Sequence, residues 1–247
     1  PAARGLYLFA FVSMTAMFLI RNRLVHETAV GYRKMAQAKT GKFREVVSDY
    51  KTILSVLRHN SDLIVAFLVV MLGNIQLFYG RYFLSLLLKE GIQFQIALVS
   101  LAPALASISR MTIIIFVLPG MSRMKPAKAI SWGFVISAVG VTVLASAPVG
   151  AVAVALVGVV LEAAGFAIIA PFAESMLANA IADEQRAKTI SLFQTLLNGM
   201  SSPFGYLGGL LAGISPRYPF LLVLGTLVLR FVLIRSRRSR PDAGRLV

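Results

Sequence analysis

The 247-residue chain contains no cysteine, so it can hold no disulfide framework, no thiolate zinc site and no cysteine nucleophile. Charged residues make up only 14% of it, against about 25% in an average soluble domain. Hydrolase, phosphate-loop and metalloprotease motifs are missing, and the two histidines, His26 and His59, lie in a basic segment. No lysine falls within residues 218–234, which argues against a retinal Schiff base there. We therefore expect no enzyme, no cofactor and no bound metal.

Apolar sequence is abundant instead, because 57% of the residues are hydrophobic. The apolar runs are too long for a soluble core of this size, and disordered chains are poor in such residues. Crossing the ~30 Å core of a bilayer takes about 20 residues of helix. Seven runs meet or approach this length without the alternation of a barrel strand: 6–20, 63–88, 92–118, 129–147, 149–177, 189–214 and 218–234. The sequence predicts an all-α integral membrane protein with about seven transmembrane helices.

The basic residues indicate an orientation. Lys and Arg number 25 against 10 Asp and Glu, an excess that in a soluble protein would suggest nucleic acid. Here most of them fall in alternate connections, at 21–61, 119–128 and 178–188, and in the tail 235–247. Because positive charge marks cytoplasmic loops, the amino end is expected outside and the carboxyl tail in the cytoplasm. This pattern predicts a multi-pass protein of the cell membrane, with the lipid bilayer as a partner and no nucleic acid.

Residues 21–61 form the one long connection. From Thr40 onward, its apolar positions recur every three or four residues opposite a basic face, which predicts an amphipathic helix on the membrane surface. It can serve as a flat linker between two bundles or as a regulatory site for anionic lipids or a calmodulin-type protein. The chain thus divides into a helix at 1–20, a linker at 21–61, a six-helix bundle at 62–234 and a basic tail at 235–247. It begins without a methionine or a signal sequence, so we expect it to be a piece of a longer protein.

Three stretches carry a family resemblance. Residues 171–188, with Glu174 before a turn and Arg186 after it, look like the end of the tenth helix of the major facilitator superfamily of transporters. Residues 118–126 resemble that family's basic loop in its second half, with Ser122 at the aspartate position. Residues 201–209 resemble the Ser-Pro-x-Gly-Gly pattern of the eleventh helix. In this resemblance, 6–20 is the sixth helix, 21–61 the central loop and 62–234 the second half.

The resemblance implies secondary active transport of a small solute by alternating access, together with a first half of the same transporter that this sequence lacks. A non-transporting seven-helix receptor or assembly protein is the alternative. The resemblance further implies that three charges at the cytoplasmic rim, Arg123, Glu174 and Arg186, converge as a latch that holds one conformation. Otherwise they are ordinary solvated loop charges, worth about 0–1 kcal/mol.

Polar side chains inside the spans are expensive and need a partner or a function. Glu162 falls within ~3 Å of the midplane of its span, where a carboxyl group can load and release a proton. Gly158 and Gly165 share its helix face and allow close approach of another helix or of a ligand. The other candidates for substrate or proton binding are Asn74, Gln76, Arg81, Arg110, Gln194 and Asn198. Each of these can instead make a structural hydrogen bond or ion pair within the bundle.

Other features of the spans have structural explanations. Arg230 lies close to the cytoplasmic tail and is expected to extend to the membrane surface. Tyr79 and Tyr82 are expected in an interfacial aromatic belt. The small residues at 201, 205, 209 and 213 form a stripe that is expected to pack against another helix.

Overall fold

The structure is a computed structural model of the whole chain, and the residues it describes are 2–24, 61–121, 123–181 and 186–238. The amphipathic helix predicted from Thr40 lies outside the described residues, as does most of the basic tail. The chain divides into two compact units, Pro1–Thr52 and Ile53–Val247. In the first unit, α1 spans Ala2–Leu24 and ends with Arg21 and Arg23 in its last turn.

The second unit is a bundle of six long helices. These are α2 (Ser61–Tyr82), α3 (Ile96–Met121), α4 (Pro126–Ser146), α5 (Val152–Asn179), α6 (Arg186–Ile214) and α7 (Tyr218–Arg238). A short helix, Leu84–Leu86, and a π-helical turn, Leu87–Gly91, follow α2. Within α3 the segments Ile96–Val99, Leu101–Thr112 and Leu118–Met121 are α-helical and Ile113–Val117 is π-helical. The described residues contain no strand.

Five of these helices are long and apolar enough to cross a membrane, in agreement with an all-α membrane protein that spans the bilayer several times. They are Leu63–Tyr82, Ile96–Met121, Pro126–Ser146, Val152–Asn179 and Tyr218–Ser236. The first and sixth predicted spans lie on α1 and α6, and some side chains of both helices are outside the described residues. The count of seven spans and the orientation of the termini therefore stay predictions.

Helices α4 and α5 pack backbone against backbone at four glycines, which we call the glycine seam: Gly133, Gly140, Gly158 and Gly165. A Cβ atom on Gly140 would collide with the backbone nitrogen of Glu162, and one on Gly158 would lie 2.8 Å from the backbone nitrogen of Leu144. Small residues let two helices approach in this way. The sequence left open whether this face of α5 admits a helix or a ligand, and the structure places a helix there.

Helix α6 contacts α2 through Gly205, which belongs to the predicted stripe, and Gly208, which does not. Cβ atoms on Gly205 and Gly208 would lie 3.0 Å from Phe78 and 2.7 Å from Phe83, whereas Gly209 and Gly213 face open space. The stripe prediction is therefore wrong for positions 209 and 213, because the bulky aromatic side chains of α2 meet α6 on the side of Gly208.

In the same region, the two tyrosines predicted to lie in an interfacial belt have different surroundings. Tyr82 is exposed, as an interfacial residue would be, but Tyr79 is buried and its hydroxyl group donates a hydrogen bond to the carbonyl oxygen of Phe204 at 2.6 Å. Tyr79 is thus a packing residue between α2 and α6. The hydroxyl group finds its partner inside the bundle because the neighbouring glycines bring the α6 backbone close.

The bundle has two different ends. At what we call the neutral end, where α2, α4 and α6 finish, the connecting loops bond to one another. The backbone N–H of Gly150 donates to the carbonyl of Ile92 at 2.9 Å, and the Arg217 Nη2 donates to the carbonyl of Ala147 at 2.8 Å. The opposite end, where α3, α5 and α7 finish, carries most of the basic connections and is called the basic end.

Candidate functional site

Four polar side chains from four helices meet in the interior of the bundle, and we call them the Gln76 network: Gln76, Ser137, Glu162 and Arg230. Gln76, on α2, is only 1% exposed. Its Nε2 donates to Glu162 Oε1 on α5 at 2.8 Å and to Ser137 Oγ on α4 at 2.9 Å. Its Oε1 accepts a hydrogen bond from Arg230 Nη1 on α7 at 2.8 Å. One amide therefore connects a guanidinium group to a carboxyl group.

Arg230 is buried, which corrects the prediction that it extends to the membrane surface. It is 1% exposed and lies on the same face of α7 as the buried Val223 and Leu227. Its guanidinium carbon lies 5.2 Å from the centre of the Phe134 ring, a cation–π arrangement. Gly73 makes room for it, because a Cβ atom there would lie 3.0 Å from Arg230 Nη2. Arg230 lies close to the tail, but the register of α7 directs its side chain into the bundle instead of toward the membrane surface.

The positive groups of this region are incompletely bonded. The Nε atoms of Arg110 and Arg230 are buried and have no hydrogen-bond partner among the described residues. Arg110, half-buried on α3, attracts the Glu162 carboxylate electrostatically. A charge in an apolar interior is costly unless it is paired and hydrogen-bonded. Two arginines and one acidic residue in this region therefore leave positive charge that is not balanced by these side chains.

Two clefts enter the bundle on either side of the Gln76 network. The Glu162 cleft is lined by Gln76, Gly80, Arg110 and Glu162 with apolar side chains, and it lies toward the neutral end. The Arg230 cleft lies toward the basic end, and its space, with the open solvent at its mouth included, is about 430 Å³. Its lining consists of Val70, Gly73, Asn74, Leu77, Phe166, Ala170, Ala173, Glu174 and Arg230. The hydrogen bonds of Gln76 connect a charged group in one cleft with a charged group in the other.

The structure brings together some of the predicted residues. Gln76, Arg110 and Glu162 share the first cleft. Asn74 lines the second, although its Nδ2 donates to the carbonyl of Val70 in its own helix at 3.1 Å.

The remaining candidates lie elsewhere. Arg81 is exposed at the end of α2, and Gln194 and Asn198 are exposed on α6. None of these three lines either cleft. They stay predictions that the geometry of the clefts does not support.

The predicted rim residues are partly described. Glu174 is exposed on α5 and lines the Arg230 cleft, and Arg123 is exposed in the turn between α3 and α4. The side chain of Arg186 lies outside the described residues. The latch among the three therefore stays a prediction.

Sequence reasoning missed Arg230 and Ser137 as site residues. The available signal was the spacing of Val223, Leu227, Arg230 and Ile234, which puts an arginine on one helical stripe with apolar residues. Among the described residues, no group of three or more histidine, aspartate or glutamate side chains is placed to hold a metal ion. No protein-family model and no curated protein matches the chain.

Proposed function

We propose that the chain is part of a secondary transporter that moves a small solute across a membrane by alternating access, with proton coupling at Glu162. The observation that carries this proposal is the Gln76 network, in which charged groups of two opposite clefts are joined through one amide. Ionisable residues inside a membrane bundle are typical of substrate and proton pathways.

The hydrogen bonds suggest how coupling works. As a carboxylate, Glu162 accepts from Gln76 Nε2, and Gln76 Oε1 then accepts from Arg230. When Glu162 takes up a proton, it becomes the weaker acceptor, since hydrogen bonds to ionised groups are about twice as strong as neutral ones. The Gln76 amide is then held mainly by Ser137 and Arg230, and when it turns, Arg230 loses its acceptor. A proton taken up in one cleft thereby changes the group presented in the other.

The family resemblance adds the partner. We propose that 62–234 is the second half of a major-facilitator-type transporter, and that a first half of the same protein completes the transport path. The proposed latch of Glu174 with Arg123 and Arg186 belongs to this assembly. In the complete transporter, Glu174→Gln should lower the transport rate more than it lowers substrate affinity, and an unchanged rate would make these ordinary loop charges.

The test uses the complete transporter in proteoliposomes with an imposed pH gradient. Its probes are a panel of labelled organic acids, amino acids, sugars and organic cations. We expect uphill uptake of at least one solute, accompanied by proton movement that a lumenal pH dye reports. Glu162→Gln should abolish uphill uptake and keep downhill exchange, because exchange requires no net proton movement. Glu90→Gln is the matched control, since Glu90 is exposed at the neutral end.

Three results would contradict the proposal in different ways. Unchanged uphill uptake in Glu162→Gln would make Glu162 a packing residue. Loss of solute binding in that variant would assign it to recognition rather than to coupling. Absence of movement of every solute by the wild-type protein would favour the non-transporting receptor or assembly protein.

A further inference from the structure

The Arg230 cleft combines one buried cation with an apolar lining. Arg230 contributes the guanidinium group, Asn74 is a half-buried amide, and Phe166, Leu77 and Ala170 are apolar. Glu174 is exposed rather than buried and lines the cleft close to the basic end. Ligand sites of this kind are mostly apolar, with a few polar groups that fix the orientation of the ligand.

The guanidinium group has unused capacity to donate. Arginine carries five N–H donors and no acceptor. Nη1 is occupied by Gln76, whereas Nε is buried without a partner among the described residues. Nη2 faces Gly73, another lining residue of this cleft, and a Cβ atom there would lie 3.0 Å from it, a tight contact.

The charges of the two clefts differ. In the Glu162 cleft, Arg110 has an acidic neighbour. In the Arg230 cleft, the neighbours of Arg230 are a neutral amide, an aromatic ring and a glycine. Of the two arginines that line the clefts, Arg230 is therefore the one whose direct neighbours are all neutral, since Glu174 lines the same cleft but is exposed.

We infer that the Arg230 cleft binds the carboxylate group of a small organic anion, with Arg230 as the residue that recognises it and the apolar wall in contact with its hydrocarbon part. Arginine suits this role because its planar fork matches a carboxylate. The inference names the solute class of the proposed transport function and rests on that function for its physiological meaning. The site itself lies inside one bundle, between α2, α5 and α7.

The test measures equilibrium binding to the full chain in nanodiscs of neutral lipid, without any gradient. The probe is benzoate, and benzamide is its neutral counterpart of the same shape. We expect benzoate to bind and benzamide to bind at least about tenfold more weakly, since one charged hydrogen bond accounts for that factor. Arg230→Gln should weaken benzoate binding by about the same factor, and Arg230→Lys by less.

A second variant guards against misfolding of Arg230→Gln. Gly73→Ala places a methyl group against Nη2 within the cleft and should weaken benzoate binding severalfold while Arg230 stays in place. Its control is Gly225→Ala on α7, where a Cβ atom would meet nothing within 4 Å. Arg235→Gln, an exposed arginine on the same helix, controls for a general effect of positive charge.

Several results would overturn the inference. These are equal binding of benzoate and benzamide, full binding in Gly73→Ala, or loss in Arg110→Gln with full binding in Arg230→Gln. Abolition of benzoate binding by anionic lipid in the nanodisc would assign the cleft to a lipid headgroup instead of a solute. Benzoate binding without transport of any solute by the complete protein would reject the proposed function and leave the site standing, whereas transport of other solutes without benzoate binding would reject the site and leave the function standing.

Discussion

The glycine seam and the Gln76 network hold the same bundle together by opposite means. At the seam, α4 and α5 touch chiefly through backbone atoms. In the network, four helices meet through side-chain hydrogen bonds of 2.8–2.9 Å and a cation–π contact. Both lie on α5, since Glu162 belongs to the network and its backbone nitrogen faces Gly140 of the seam.

The difference distinguishes a fixed contact from one that can change. Close-packed backbones have a single favourable arrangement, because a small displacement loses many contacts at once. A hydrogen bond between Gln76 and Glu162 can be exchanged for one to water or to a ligand, and protonation of Glu162 weakens it. The seam is therefore the part of the bundle that we expect to move as one body, and the network is the part that can take two states.

Gln76→Leu should have the largest effect on stability. It leaves Glu162 and Arg230 without their partner in the bundle, a change that in buried ion pairs costs about 3–5 kcal/mol. The measurement is the free energy of unfolding of the full chain in mixed micelles with increasing denaturing detergent. Asn198→Leu, an exposed amide on α6, is the control and should change it by less than about 0.5 kcal/mol. Equal effects of the two variants would mean that the network does not contribute to the free energy of unfolding.

Gly165→Ala should have the next largest effect, because its Cβ atom would collide with the backbone nitrogen of Ser137. Overpacking of this kind costs about 1–3 kcal/mol. Gly209→Ala is the matched control, since a Cβ atom there meets nothing within 4 Å. The same detergent titration compares them. If the two alanine variants are equally stable, α4 and α5 do not depend on close backbone approach.

Ser137→Ala should have the smallest effect. Ser137 belongs to the network and also lies against Gly165 of the seam, so this variant tests the two regions separately. The variant keeps the Cβ atom and backbone that face Gly165 and loses only the hydroxyl group that accepts from Gln76. We expect a loss of about 1 kcal/mol in the free energy of unfolding, the net value of one hydrogen bond. Ser131→Ala, whose hydroxyl group bonds to its own helix at Ala127, should cost less. A loss as large as that of Gly165→Ala would show that seam and network are not independent.

These two regions also show what the sequence can predict. The length of the apolar runs predicts the helices, and counting residues along a run predicts the depth of Glu162 and Gln76, which meet in the structure. The direction in which a side chain faces is harder to predict, because α5 is apolar on nearly every face and lacks the periodicity that orients a soluble helix. The packing partners of Gly158 and the burial of Arg230 depend on that direction. Neither could be derived from depth alone.

The loops bonded at the neutral end have a mechanical consequence. The bonds from Gly150 to Ile92 and from Arg217 to Ala147 join three connections, so the helices that meet there share a common anchor. A 28-residue helix such as α5 is about 42 Å long, and tilting it by about 5° around such an anchor shifts its far end by about 4 Å. We therefore expect a small rotation at this anchor to produce a larger displacement at the basic end than at the neutral end.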